Sequence, residues 1–202
     1  MSKVILVAGM SQTIPVIEGY DYIGIDHGAI SCIEQRIPMI CAVGDFDSVS
    51  EEEKTKIQEK THMLPLPVHK NETDTEVAVA EAIKRGYDEI ILYGGLGGRI
   101  DHELANLYLI MHRNLPIILM NEQNRIRRLE PGSYKVEKSD YTYLSFLALC
   151  DSCISESGVA YPLDHCDITN QDIFTVSNEI IEKAAQITLH HGSVLMIETR
   201  DA

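Results

Sequence analysis

The segment Ile90-Ile91-Leu92-Tyr93-Gly94-Gly95-Leu96-Gly97-Gly98-Arg99-Ile100-Asp101-His102 decides the fold class. Its four leading apolar residues read as a strand buried on both faces, and the glycines after them as a loop. Beyond Asp101, residues Leu104, Leu107, Tyr108 and Met111 recur at i, i+3, i+4 and i+7, a helix face expected to dock on the sheet. Strand, glycine loop and helix make one βα unit. Working outward, residues 4–7, 22–25, 40–43 and 117–120 are further short apolar runs of buried-strand type. Ser50 with Glu53, and Thr73 with Glu76, have capping-box spacing and mark helix starts between them. The alternation predicts an α/β domain over residues 1–121, a mostly parallel, Rossmann-like sheet flanked by helices.

After Asn121 the texture changes. Shorter alternating pieces, at 141–149, 158–163, 187–190 and 194–199, are separated by turn residues. They predict a second domain over residues 122–202, an all-β sandwich. With 17 basic and 31 acidic residues the formal net charge is −14, which disfavours nucleic acid and anionic membrane surfaces as partners. No apolar stretch approaches the ~20 residues of a membrane helix, and the N-terminus has no signal-peptide core. The five scattered cysteines suit reduced thiols, so the expected location is cytoplasmic. Cys150 and Cys153 have CxxC spacing inside a strand-like run, 143–154, and read as core thiols. His190 and His191 read as surface residues, and Arg125, Arg127 and Arg128 as a small basic patch whose default use is a domain-junction ion pair.

The chemistry concentrates at strand-to-helix junctions. In Gly44-Asp45-Phe46-Asp47-Ser48, an extended backbone would turn Asp45 and Asp47 to one side, at the carboxyl end of a parallel strand, where open α/β sheets bind ligands. Two carboxylates that close call for a cation, and a hard divalent ion such as Mg2+ fits them. Asp26, Asp74 and Asp101 occupy equivalent junctions. Gly94, Gly95, Gly97 and Gly98 clear side chains from a helix N-terminus where an anion can lie on backbone N–H groups, and Arg99 can fork onto phosphate oxygens. Neither GxxxxGK[ST] nor GxGxxG occurs, which disfavours a P-loop nucleotide and a nicotinamide dinucleotide. Acids beside an anion-binding loop are reconciled by a metal, and together they point to a nucleotide polyphosphate.

In order and spacing, Gly44 to Ser48, Glu72-Thr73-Asp74-Thr75-Glu76 and Gly94 to Asn106 resemble the thiamine pyrophosphokinase (thiamine diphosphokinase) family, and Gly158 to Leu163 with Val176-Ser177-Asn178-Glu179 resemble its C-terminal motifs. The resemblance implies a homodimer, with sites between subunits, that transfers pyrophosphate from ATP to the thiamine hydroxyl, giving thiamine diphosphate and AMP. It implies Asp45, Asp47 and Asp74 as Mg2+ and triphosphate acids, and Asp26, Gly95, Gly97, Gly98 and Arg99 on the nucleotide. Asp74, Asp101 and Arg99 would serve catalysis; Tyr161, Ser177 and Asn178 would meet thiamine, Tyr161 standing where the family often has Trp. The residues read alone leave two alternatives: another Mg2+-dependent phosphotransferase or phosphohydrolase, and a non-catalytic nucleotide-binding module.

Overall fold

The computed structural model describes residues 2–9, 13–67 and 71–202. Its chain separates into two compact units, Met1–Leu109 with Leu115–Asn121, and Ile110–Asn114 with Glu122–Ala202.

In the first unit, β1 (Lys3–Val7), β2 (Tyr20–Ile25), α1 (His27–Glu34), β3 (Cys41–Gly44), α2 (Glu51–Lys60), β4 (His62–Pro65), α3 (Asp74–Lys84), β5 (Glu89–Tyr93), all but the last two residues of α4 (Ile100–Met111), and β6 (Ile117–Met120) follow in chain order. The strands lie in the order β6-β5-β1-β2-β3-β4, and every pair is parallel. Strands β1 to β4 step one way from β1, whereas β5 and β6 lie on its other side. The crevice at the carboxyl ends of β1 and β5 is therefore the topological switch point of the sheet. The apolar runs are strands because each is covered on both faces; Val4, Ile5, Leu6 and Val7 are wholly buried. One face is covered by α1, whose Cys32 packs with Ile5, Val7 and Tyr22 and whose Ala29 and Ile30 pack with Ala42, Phe46 and Ile57; α3, with Ala78, Val79 and Ala82 buried, also packs on β1, β2 and β3. At α2 the Ser50 side chain accepts from Glu53 N while Glu53 accepts from Ser50 N, the complete capping box; at α3 Thr73 Oγ1 accepts from Glu76 N.

Helix α4 differs from its expected docking. Leu104 and Tyr108 are 51% and 57% exposed, while Asn106, Leu109 and Ile110 are buried. Two apolar series overlap on this helix, and the inward one was masked by Asn106, whose amide Nδ2 donates to Gly95 O at 2.8 Å. A polar residue with its partner in the fold can face the core.

The second unit holds β7 (Asn124–Leu129), β8 (Gly132–Glu137), β9 (Tyr143–Ala148), β10 (Ser152–Ser157), β11 (Leu163–Ile168), β12 (Asn178–Glu179), β13 (Ala184–His191) and β14 (Val194–Thr199). Strands β12-β9-β14-β7 form one antiparallel layer and β11-β10-β13-β8 the other. Leu144, Phe146, Val194 and Met196 of the first layer and Ile154, Ala185, Ile187 and Leu189 of the second share one buried cluster, the core of a β-sandwich. The single run expected over 143–154 is broken between β9 and β10, where Ser152 Oγ donates to Cys150 O and Cys150 is exposed in the turn. Likewise 158–163 is mostly a loop: Gly158 has φ 77, and a Cβ there would meet Ala184 O at 2.6 Å. Val159 makes an isolated bridge to Ile180, and Leu163 is already the first residue of the next strand. The basic patch is used inside the sandwich, Arg125 pairing with buried Glu198 on the neighbouring strand.

Candidate active site

Asp26, Asp45 and Asp74 come from three separate junctions, after β2, after β3 and at the first residue of α3, yet their carboxylate oxygens lie within 4.8 Å of one another. The local backbone explains the convergence. Asp26 precedes α1 with φ 47 and ψ −120 and makes no side-chain cap bond, so its carboxylate is free of the helix end. Its Oδ1 instead accepts from Phe46 N at 3.2 Å, while its own N–H donates to Val43 O. Gly44 leaves the room: a Cβ there would fall 1.8 Å from Asp26 Oδ1. Phe46 has φ 55 and is 2% exposed, its ring sunk into the core beside α1 and α2. Such a left-handed non-glycine residue persists because its burial over-determines the turn.

That turn corrects the extended backbone expected for residues 45–47. Asp45 joins the cluster, whereas Asp47 is exposed and its N–H donates to Asp45 Oδ1 at 3.1 Å. Asp26, taken from sequence as a nucleotide residue, stands with Asp45 and Asp74. Burial pushes the Asp26 carboxyl up to about 7, and the neighbouring Asp74 and Asp45 add to the rise against the Phe46 N–H. Three carboxylates packed this closely oppose one another's ionisation unless a cation joins them, and all-oxygen donors fit a hard divalent ion.

The cluster borders a crevice of about 370 Å³ lined by Asp26, Asp74, Gly95, Gly97, Arg99 and Asn106, among others. Gly97 and Gly98 have φ 93 and 81, a backbone open to glycine. Gly97 N already donates to a carboxylate, Glu103 Oε2 at 3.2 Å, so the loop's affinity for anionic oxygen is visible within the chain. Asn106 anchors the loop from below through Gly95 O. Arg99 is forked onto Asp101, Nη2 to Oδ2 at 2.6 Å and Nε to Oδ1 at 3.1 Å. Both are exposed, and the Arg99 guanidinium holds the Asp101 carboxyl below its ordinary range. Ser48, Thr75 and His102 also line the crevice. Their hydroxyl and imidazole groups were given no role from sequence, although each lies inside a motif that was read there.

In the sandwich, Tyr161 is 74% exposed, Ser177 is exposed with φ 60, and Asn178 is buried. The Asn178 amide is fully engaged. Its Oδ1 accepts from Tyr161 N and Glu179 N, and its Nδ2 donates to Tyr161 O and Glu156 Oε2. Two donors and two acceptor positions exhaust the group, so it clasps the Tyr161 loop. Ser177 N donates to Ser145 Oγ at 2.9 Å, which pins the strained residue along β9. Glu156, missed from sequence, is 3% exposed, and burial pushes its carboxyl up to about 7 despite the Asn178 donor.

An acid-lined crevice at the switch point of a parallel sheet, followed by a β-sandwich, defines a two-domain α/β-plus-β protein. Residues 20–119 match the thiamin pyrophosphokinase catalytic domain, and residues 133–194 the thiamin pyrophosphokinase vitamin B1 binding domain. A thiamine pyrophosphokinase of Bacillus subtilis (strain 168) is 32% identical over 98% of each chain. Among solved structures, a thiamin pyrophosphokinase family protein from Enterococcus faecalis is 38% identical with a TM-score of 0.90 over 100% of both chains. Thiamine pyrophosphokinase from Bacillus subtilis superposes at 0.88 with 31% identity, over 99% of this chain and 100% of its own. The chain belongs to the thiamine pyrophosphokinase family.

Proposed function

We infer that the protein is a thiamine diphosphokinase, transferring the pyrophosphoryl group of ATP to the hydroxyl of thiamine to give thiamine diphosphate and AMP. The observation that carries this reading is the meeting of Asp26, Asp45 and Asp74 beside the glycine loop and Arg99, in a chain whose two halves both match the family. Bound there, Mg2+ would supply positive charge that neutralises the phosphate oxygens. Asp45 and Asp74 would hold it with Asp26, while exposed Asp47 stands outside that cluster.

The chain's own groups do the rest. Gly95, Gly97 and Gly98 let the triphosphate lie on backbone N–H groups, Gly97 N exchanging Glu103 for a phosphate oxygen. Arg99, aimed by Asp101, meets the charge that develops as the thiamine oxygen bonds to the β-phosphorus and the bridge to the α-phosphate breaks. The hydroxyl proton passes to a carboxylate, Asp74 on the crevice or Asp101 beside Arg99. Tyr161 stacks on the cationic ring of thiamine and Ser177 offers its hydroxyl. Asn178 acts by positioning Tyr161.

A homodimer with sites between subunits is supported by the apolar side chains left exposed around Ser177, namely Ile173, Phe174, Val176 and Ile181. Free thiols support a reducing, cytoplasmic location. Among the described residues no helix is long and apolar enough to cross a membrane. The test is incubation with ATP, Mg2+ and thiamine. AMP and thiamine diphosphate should form together, only with thiamine present, and chelation should stop both. Formation of ADP, or turnover indifferent to thiamine, overturns the reading.

A further inference from the structure

A second group of ligating atoms lies in the sandwich. The Cys153 Sγ, an Asp167 carboxylate oxygen and a His191 ring nitrogen are all within 4.8 Å of one another. They come from three adjacent strands: Cys153 on β10 is paired with Asp167 on β11 and with His191 on β13. Residues aligned across neighbouring strands project from the same face, and Ile154, the next residue, is wholly buried in the core. The trio therefore occupies the outer face of its sheet.

Strict alternation would not have put His191 there. Along β10 and β13, Cys153 pairs with His191 and Ile154 with Leu189, so one step on β10 spans two on β13 and His190 is the extra residue of a bulge. A bulge re-aims the side chains beside it. Here His190 turns to Ser155 Oγ at 2.8 Å and stacks on His165 at 4.2 Å. Its ring is thereby committed, while His191 meets Cys153. A second register shift between Ile154 and Glu156 on β10 admits His165, with φ 46, to the same face. The bulge on β13 thus brings His191 beside Cys153, whose regular partner on β11 is Asp167, and gathers thiol, imidazole and carboxylate.

We propose that Cys153, Asp167 and His191 form a zinc-binding site, with the fourth position open to water. A thiolate, an imidazole and a carboxylate are the donors Zn2+ takes in tetrahedral sites, where bond lengths of ~2.0–2.3 Å put ligand atoms about 3.3–3.8 Å apart. The present spacing reaches that by rotamer adjustment of Asp167 and His191, both exposed. Cys153, 7% exposed, supplies the fixed point. Its sulfur separates this site from the all-oxygen cluster of Asp26, Asp45 and Asp74, because Mg2+ has little affinity for thiolate.

Co2+ is the probe, since a thiolate ligand gives it a sulfur-to-metal charge-transfer absorption that carboxylates alone do not. Full-length protein stripped with chelator should bind one equivalent of Co2+ with that absorption, yield it to one equivalent of Zn2+, and ignore excess Mg2+. Cys153→Ser should abolish the absorption, and His191→Gln should weaken Zn2+ binding about tenfold or more. Cys150→Ser should leave both unchanged. Melting curves in chelator establish that each variant is folded. Absence of the absorption in the parent protein, its survival in Cys153→Ser or its loss in Cys150→Ser overturns the proposal.

Discussion

Gly44 and Asp26 show how narrowly the crevice is specified. A methyl group on Gly44 would overlap Asp26 Oδ1, so Gly44→Ala must expel that carboxylate from the cluster. The expected outcome is a large loss of Mg2+-dependent turnover in a protein that still folds, read by kinetics across Mg2+ concentrations beside a thermal melt. Asp74→Asn should abolish turnover with the fold intact; unchanged activity would remove Asp74 from the metal set. Asp26 adds a pH signature. With its carboxyl pushed up to about 7 by burial and by Asp74 and Asp45, it is mostly protonated below that pH and a poor ligand. Mg2+ titrations should show tighter binding at about pH 8 than at about pH 6, and Asp26→Asn should flatten the difference.

Helix starts carry the site at the next scale, and two of them allow a contrast. Ser50 and Thr73 both cap through their side-chain oxygen, so replacing either by Ala should cost about 1 kcal/mol of stability. Only α3 begins with a cluster residue, Asp74. Thr73→Ala should therefore lower both denaturant midpoint and kcat, while Ser50→Ala lowers the midpoint alone. Equal kinetic damage from both would mean that cap geometry does not position the acid. These caps were legible in sequence because they are local, as were the strands of the parallel sheet, whose apolar runs need no partner to be recognised. What depended on distant contacts was not. The inward face of α4 turns on Asn106 reaching Gly95 O, the departure of Asp47 on the left-handed turn at Phe46, and the clasp on Tyr161 on a carboxyl, Glu156, in another strand. His191 read as an ordinary surface residue because its meeting with Cys153 depends on a bulge that alternation does not reveal.

Across the whole molecule, stability should decline as pH rises from about 4 to about 7, through a diffuse effect and through local carboxyls. The formal charge of −14 makes self-repulsion grow as carboxylates ionise, a diffuse effect that salt screens. Glu156 is a local one. Its carboxyl rises from 4.5 to about 7 on folding, chiefly through burial. Below about pH 4.5 it is neutral in folded and unfolded chains alike, and its contribution is fully present. Between the two values the unfolded chain gives up the proton while the folded chain keeps it, so stability is lost with rising pH until the folded group also ionises near 7. The shift caps the loss at about 3 kcal/mol. Glu156→Gln keeps an acceptor for Asn178 Nδ2 and removes the titration. Denaturant melts of the two proteins should coincide near pH 4, diverge up to about pH 7 and keep a constant gap above it, the variant being more stable, at fixed high salt that suppresses the diffuse term. Parallel curves over that range would mean that Glu156 does not carry a raised pKa in the folded protein.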